Sequence, residues 1–150
     1  MLIMKFLLNG EKFGIKVCDV LEVNRLPGVF PVHGADKSII GLINLHGKSV
    51  PVIALDKLLM LRSEGEKKEL FVALKTKKGA LCLLLDELIG FEEISEQEVI
   101  KPEDMTLNFD GSYLEFVCLK SESMVSVLNA DFLTVTGRNY DGQPLGTGTK

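Results

Sequence analysis

MLIMKFLLNGEKFGIKV, residues 1–17, admits two readings, and the choice between them decides the fold. A secretory signal needs an unbroken apolar stretch followed by a cleavage-like segment of small residues. Here Lys5 interrupts the apolar run, Asn9-Gly10 ends it, and no such segment follows. Read as two strands, Met1–Leu8 and Lys12–Val17, the same residues need only a two-residue turn that tolerates positive φ, and Asn-Gly is the strongest short hairpin signal. The chain is therefore expected to open on an antiparallel hairpin.

Moving outward, the pattern repeats. Gly41–His46 and Ser49–Leu55 flank His46-Gly47-Lys48; Leu70–Lys75 and Ala80–Leu85 flank Thr76–Gly79; Leu114–Lys120 and Met124–Leu128 flank Ser121–Ser123; Asp110-Gly111 marks another turn. Short apolar runs joined by hairpin turns indicate an all-β barrel or sandwich. Helix is scarce. Asp56 is expected to cap Lys57–Leu61 and Asn129 to cap Ala130–Leu133, and Ser95-x-x-Glu98 has the form of a capping box. Pro51 inside a strand-like run predicts an edge or a strand start. Arg62–Glu69 and the glycine-rich tail 137–150 read as polar, flexible segments.

The two halves resemble each other. At an offset of 73 residues LHGKSVPVIALDKLL lies over CLKSESMVSVLNADF, and at 68 GIKVCDVLEV lies over CLLLDELIGF, which sets Val20 on Leu88 and Val23 on Phe91. A five-residue insertion reconciles the two offsets. This pseudo-symmetry implies two related small barrels with an apolar seam between them.

A chain of 150 residues buries about 70% of its unfolded surface without disulfides or metal. Its net charge of -4 and pI near 5.2 lack the basic face of a general nucleic-acid binder or of a protein drawn to anionic membranes. Lys75, Lys77 and Lys78 read as a solvated turn. No stretch reaches the roughly 18–20 apolar residues of a membrane span. Cys18, Cys82 and Cys118 are odd in number, lack metal-ligand spacing, and read as buried thiols in strands of a cytoplasmic protein. No nucleophile–base motif, P-loop or dinucleotide fingerprint is present, and His33 sits in a Pro/Gly loop. An enzyme using Cys18 or Cys82 as nucleophile is the rival class. Glu92, Glu93, Glu96, Glu98, Glu103 and Asp104 read as a solvated acidic face without EF-hand spacing. Asp86 closes the apolar run Leu81–Leu85 and is either a strand-end turn former or part of a functional surface.

Four segments, taken together and in order, resemble the CheW-like chemotaxis coupling family over about residues 4–134: GIKVCDVLEVNRLPGVFPV, SIIGLINLHGKSVPVIALDKLL, ALCLLLDELIGFEEISEQEV and LEFVCLKSESMVSVLNADFL. The second carries the most specific motif. The resemblance implies an all-β fold with a few short helices, built as two SH3-like five-stranded barrels packed across an apolar interface. It implies a single domain over 1–136, with its two intertwined subdomains divided near 62–69. It also implies a non-enzymatic cytoplasmic adaptor, without cofactor or metal, recruited to receptor arrays. Its expected partners are the CheW-like regulatory domain of a CheA-type histidine kinase and the cytoplasmic tip of a methyl-accepting chemoreceptor, with no nucleic acid and no direct membrane insertion. The alternative is a divergent scaffold serving a different sensor-kinase pathway.

Carried over residue by residue, the resemblance puts Val20, Leu70, Leu88 and Phe91 in an apolar receptor-binding groove with Glu22 beside it. It makes Gly41, Asn44, His46 and Gly47 the central partner-contact motif. Val20, Leu70, Leu88 and Phe91 read equally as core, and Glu22 as a solvated strand charge. The sequence departs from the family at His46, where Arg is usual, and at Cys82 and Phe116, where Gly is frequent. His46 exchanges a permanent charge for one that titrates.

Overall fold

Asn9 and Gly10 both adopt positive φ, 50° and 81°, so their two-residue turn joins β1 (Leu2–Leu8) to β2 (Glu11–Lys16) in antiparallel register. A computed structural model describes residues 1–32, 38–62, 67–104, 113–120 and 123–137, with side chains as far as residue 133. The remaining elements are β3 (Val20–Arg25), β4 (Phe30–Pro31), β5 (Ile39–Leu45), β6 (Lys48–Ile53), α1 (Leu55–Leu58), β7 (Leu70–Thr76), β8 (Gly79–Leu85), β9 (Glu87–Glu93), β10 (Val99–Ile100), β11 (Leu114–Lys120), β12 (Ser123–Leu128) and α2 (Ala130–Gly137).

The strands form two sheets, ordered β10-β11-β12-β2-β1-β9 and β4-β5-β6-β8-β7-β3. Each has five full strands and one two-residue strand at an end. Written this way the two orders match strand for strand, β1 with β7, β2 with β8, β9 with β3. The match extends to register. Phe6 pairs with Leu88, Lys5 with Gly90 and Met4 with Phe91; Leu74 pairs with Val20, Ala73 with Glu22 and Val72 with Val23, every partner displaced by 68 positions. Even the bulge recurs, with Ile89 in one edge strand and Leu21 in the other left out of the pairing.

The second offset needs correction. The β5 bulge lies between Ile39 and Gly41 and the β11 bulge between Leu114 and Phe116, so these hairpins correspond at 75 positions and not 73, and the insertion is seven residues rather than five. Alternating apolar residues align almost equally well after a two-residue slip, which is why sequence alone chose the wrong register.

Both barrels have their own interior, and the largest core lies between them. Ile43, Val50, Val52, Phe71, Ala73, Cys82 and Leu84 fill the second barrel, made by β3–β8, and Ile3, Phe116, Cys118, Val125 and Val127 fill the first. Met4, Phe6, Leu8, Phe13, Ile15, Val72, Leu74, Leu81, Leu83, Leu85, Leu128 and Leu133 form the seam. β8 shows why the run Leu81–Leu85 is apolar throughout: Cys82 and Leu84 point into the barrel while Leu81, Leu83 and Leu85 point into the seam.

Other expectations are revised. The change from one sheet to the other does not fall near 62–69, because β3–β6 before that segment and β7–β8 after it share one sheet; the crossings are at residues 17–19 and 86. Pro51 is buried in an inner strand. It is tolerated because parallel pairing with β8 begins only at Val52, leaving Pro51 paired on its β5 side alone. α1 begins two residues earlier than expected, with Ala54 at its N-cap, so Asp56 lies inside the first turn and caps nothing beyond its neighbour Lys57. Asn129 does cap α2, its Oδ1 accepting from the Asp131 and Phe132 N–H groups at 3.0 and 3.3 Å. The capping box is present, with the Ser95 N–H donating to Glu98. Cys18 is exposed in a single 3-10 turn, Val17–Asp19, while Cys82 and Cys118 are buried. His33, Asp110-Gly111 and the tail beyond Gly137 lie outside the described residues.

Candidate partner-docking surfaces

The β5–β6 hairpin holds the motif residues. His46 and Gly47 supply its two-residue turn at φ of 53° and 85°, and the Asn44 side-chain oxygen accepts from the Gly47 N–H at 2.9 Å. Asn44 thus fixes the turn. Gly41 serves another purpose. A Cβ there would stand 2.3 Å from the Phe30 carbonyl oxygen and 2.8 Å from Val29 Cγ1, so the absent side chain is what lets β4 pair closely with β5. Phe116, its counterpart in the first barrel, is buried and fills that barrel's interior instead.

The turn delivers His46 to Glu22. Their Nε2 and Oε1 lie 2.7 Å apart, and Asn24 donates to the other carboxylate oxygen at 3.3 Å. These bonds hold the Glu22 carboxyl below the ordinary carboxylate range, the His46 contact first and the Asn24 contact second. Two residues expected at separate sites, one beside the groove and one in the central motif, are therefore one unit. The pair spans the two ends of the second sheet, from β3 to the β5–β6 turn.

Val20, Leu70 and Leu88 are each partly buried and pack against the seam core, at the ends of β3, β7 and β9. They belong to one apolar body, half in contact with water. Phe91 differs: it is 59% exposed on the outer side of β9. The bulge residues Leu21 and Ile89 are exposed at 53% and 40%. Sequence reasoning passed over both, although the 68-residue offset already sets one on the other. Phe30, 66% exposed on the short edge strand β4, was also passed over.

The charges expected to form a solvated acidic face are in part an ion-pair network. Lys5 lies 2.8 Å from Glu92, and Lys120 lies 3.2 Å from Glu92 and 3.8 Å from Glu98. Lys5 and then Lys120 hold the Glu92 carboxyl low, and Glu92 raises the Lys120 ammonium. Asp86 takes the structural option. It accepts from the Asn9 N–H at 2.7 Å and pairs with Lys68 at 3.0 Å; Lys68 also donates to the Asn9 side chain at 2.7 Å, and Asn9 donates to the Arg62 carbonyl at 2.7 Å. Among the described residues no group of three or more His, Cys, Asp and Glu side chains is placed to hold a metal ion, and no helix is long and apolar enough to cross a membrane.

Comparison with known proteins covers the same span as these elements. The family described as the CheW-like domain matches residues 2–136. The chain is 26% identical over 132 residues to a chemotaxis protein CheW of Treponema pallidum, covering 85% of this chain and 78% of that one. It is 20% identical over 130 residues to a chemotaxis protein CheW of Rhizobium meliloti, covering 86% and 84%. Its fold is similar to that of the scaffolding protein TtCheW from Thermoanaerobacter tengcongensis, with a TM-score of 0.82, 24% identity and 95% of both chains covered.

Proposed function

The chain belongs to the CheW-like domain family, and from that premise we propose that it is a non-enzymatic coupling adaptor of chemotaxis signalling, joining chemoreceptors to a CheA-type histidine kinase in the cytoplasm. The observation that carries this reading is the family match from β1 through α2, which leaves no described element outside it. Such a protein acts by binding alone, and its exposed apolar side chains are the natural currency of that binding.

The receptor surface in this reading is the rim of the seam, where Val20, Leu70 and Leu88 are half-wet and Phe91 and Ile89 stand free on β9. A receptor helix laying its apolar face there would bury both kinds of side chain. The kinase regulatory domain would then take the other surfaces of the barrels. Glu22 and His46, already bonded to each other, offer the polar border of the rim.

Titration of the purified chain against a receptor cytoplasmic fragment and against the kinase regulatory domain, separately, tests the proposal. Saturable binding to both supports an adaptor. Binding to neither refutes it.

A further inference from the structure

The two barrels are closed by side chains of different chemistry. In the first, Lys120 at the end of β11 reaches Glu92 on β9 and Glu98 beyond it, and Lys5 reinforces Glu92. That network is built from carboxylate and ammonium groups, with no imidazole among them. In the second, the corresponding ends, the β5–β6 turn and β3, are joined among the described residues by the single pair His46 and Glu22, at 2.7 Å. Imidazole is the one ordinary side chain whose charge changes between about pH 5 and 8. One barrel has a fixed clasp and its pseudo-symmetric twin a titrating one.

We propose that protonation of His46 controls how firmly the second barrel is clasped along β3, and with it the affinity of the receptor that docks on that edge. The clasp itself rests on geometry alone; its effect on docking rests on the adaptor reading above.

Glu22 faces the imidazole from β3, and Asn24 on the same strand adds an uncharged donor. The buried Cys82 thiol on β8 feels the Glu22 charge, but burial first and Glu22 second push it up to about 12, so it stays neutral. Lys48, at the start of β6, is exposed, and among the described residues no ion pair joins it to either partner. The charged clasp therefore exists where Glu22 is ionised and His46 is protonated, and it is lost as pH rises through the imidazole's titration. Glu22 is held low, so the carboxylate side of the pair persists into mild acid. The neutral imidazole still donates one hydrogen bond, so the change is a weakening and not a release. An exposed pair contributes little alone. A partner that excludes water from it enlarges the coupling, and a single linked proton changes affinity by at most about tenfold per pH unit.

Two measurements decide the matter. In the free chain, the His46 ring resonances are followed by NMR from about pH 5 to about pH 9 in the natural sequence and in Glu22→Gln, with His46→Arg used to assign them. A midpoint that falls in Glu22→Gln, tracked by the backbone amides of Glu22 and Gly47, supports the clasp; the same midpoint in both forms overturns it. In the second measurement, a purified chemoreceptor cytoplasmic fragment is titrated at about pH 6 and about pH 8. The natural chain should bind about three- to tenfold more weakly at the higher pH, and His46→Arg, with its permanent charge, should show no such loss. Equal loss in both forms overturns the link to docking. A fragment that binds at neither pH refutes the adaptor reading, while the ring titration still decides the clasp.

Discussion

Lys68→Met is the substitution with the most to say about how the two barrels are held together. Lys68 is only 8% exposed, and its ammonium lies 3.0 Å from Asp86 and 2.7 Å from the Asn9 side-chain oxygen. Asn9 belongs to the β1–β2 turn of the first barrel, and Lys68 precedes β7 of the second, so the bond crosses between them. Methionine keeps most of the stem's apolar contact and removes both charge-assisted hydrogen bonds. Each such bond contributes about 1.5–3 kcal/mol when buried. Asp86 is 30% exposed, so water recovers part of what its carboxylate loses. The net cost is then about 2–3 kcal/mol, or a fall of roughly 5–10 °C in Tm for a domain of this size. A control is built into the pseudo-symmetry. Lys77, the counterpart of Asn9, lies in the β7–β8 turn and meets Asp131 of α2, but its side chain is 86% exposed and 3.8 Å from the carboxylate. Lys77→Ala should change stability by less than about 0.5 kcal/mol. Urea unfolding of both variants, with unchanged m-values, measures the difference. If Lys68→Met costs no more than Lys77→Ala, the buried pairing does not hold the barrels together and the reasoning fails.

Further outcomes follow from single features. Gly41→Ala forces a Cβ against the Phe30 carbonyl and should cost about 1–3 kcal/mol, whereas Gly14→Ala meets only side-chain methyl groups of Val125 and Val127 at 3.2 and 3.3 Å and should cost less; chemical denaturation ranks them. Phe91→Asp should leave Tm unchanged and weaken receptor-fragment binding by at least about tenfold, while Leu88→Asp, packed on the seam core, should destabilise the fold by about 1–3 kcal/mol; paired melting and calorimetric titration separate them. The contribution of Glu92 is present above the usual carboxylate range and lost as pH falls through its lowered value, so Glu92→Gln and the natural chain should converge in stability in strong acid. A mild alkylating reagent near pH 8 should label the exposed Cys18 and leave Cys82 unreacted, as mass spectrometry would show, since Cys82 is buried and its thiol is pushed up to about 12.

The parts of this fold that were legible in the sequence are those written in turn chemistry and alternation. Asn9-Gly10 announced its hairpin, and the doubled apolarity of Leu81–Leu85 reported a strand covered on both faces. The 68-residue offset held down to the pairing of Val20 and Leu88 with their neighbours. β3 and β9 were missing from the turn-bounded runs because they are charged edge strands, and in β3 the bulge also breaks the period of two. The tie between His46 and Glu22 was invisible for a different reason. It joins positions 24 residues apart through barrel closure, which no local pattern encodes. Lys68 sat in a stretch that read as a flexible linker, because nothing in its neighbours records that Asp86 and Asn9 arrive beside it from distant strands.

The crossing of the chain between sheets sets an order of events during synthesis. β3 to β8 are contiguous, so the second barrel has all its strands once Leu85 has emerged. β1 and β2 are made first but belong to the other sheet, where Phe13 finds its parallel partner only at Ser126. Closing so long a loop is slow relative to local pairing. In the interval, the nascent hairpin need not wait in water. Met4, Phe6 and Leu8 can lie against Leu81, Leu83 and Leu85 of the finished barrel, the same side chains they meet in the native seam. Parked in this way on the neighbouring barrel, the first strands off the ribosome would leave the C-terminal strands to complete a sheet whose foundation is already laid.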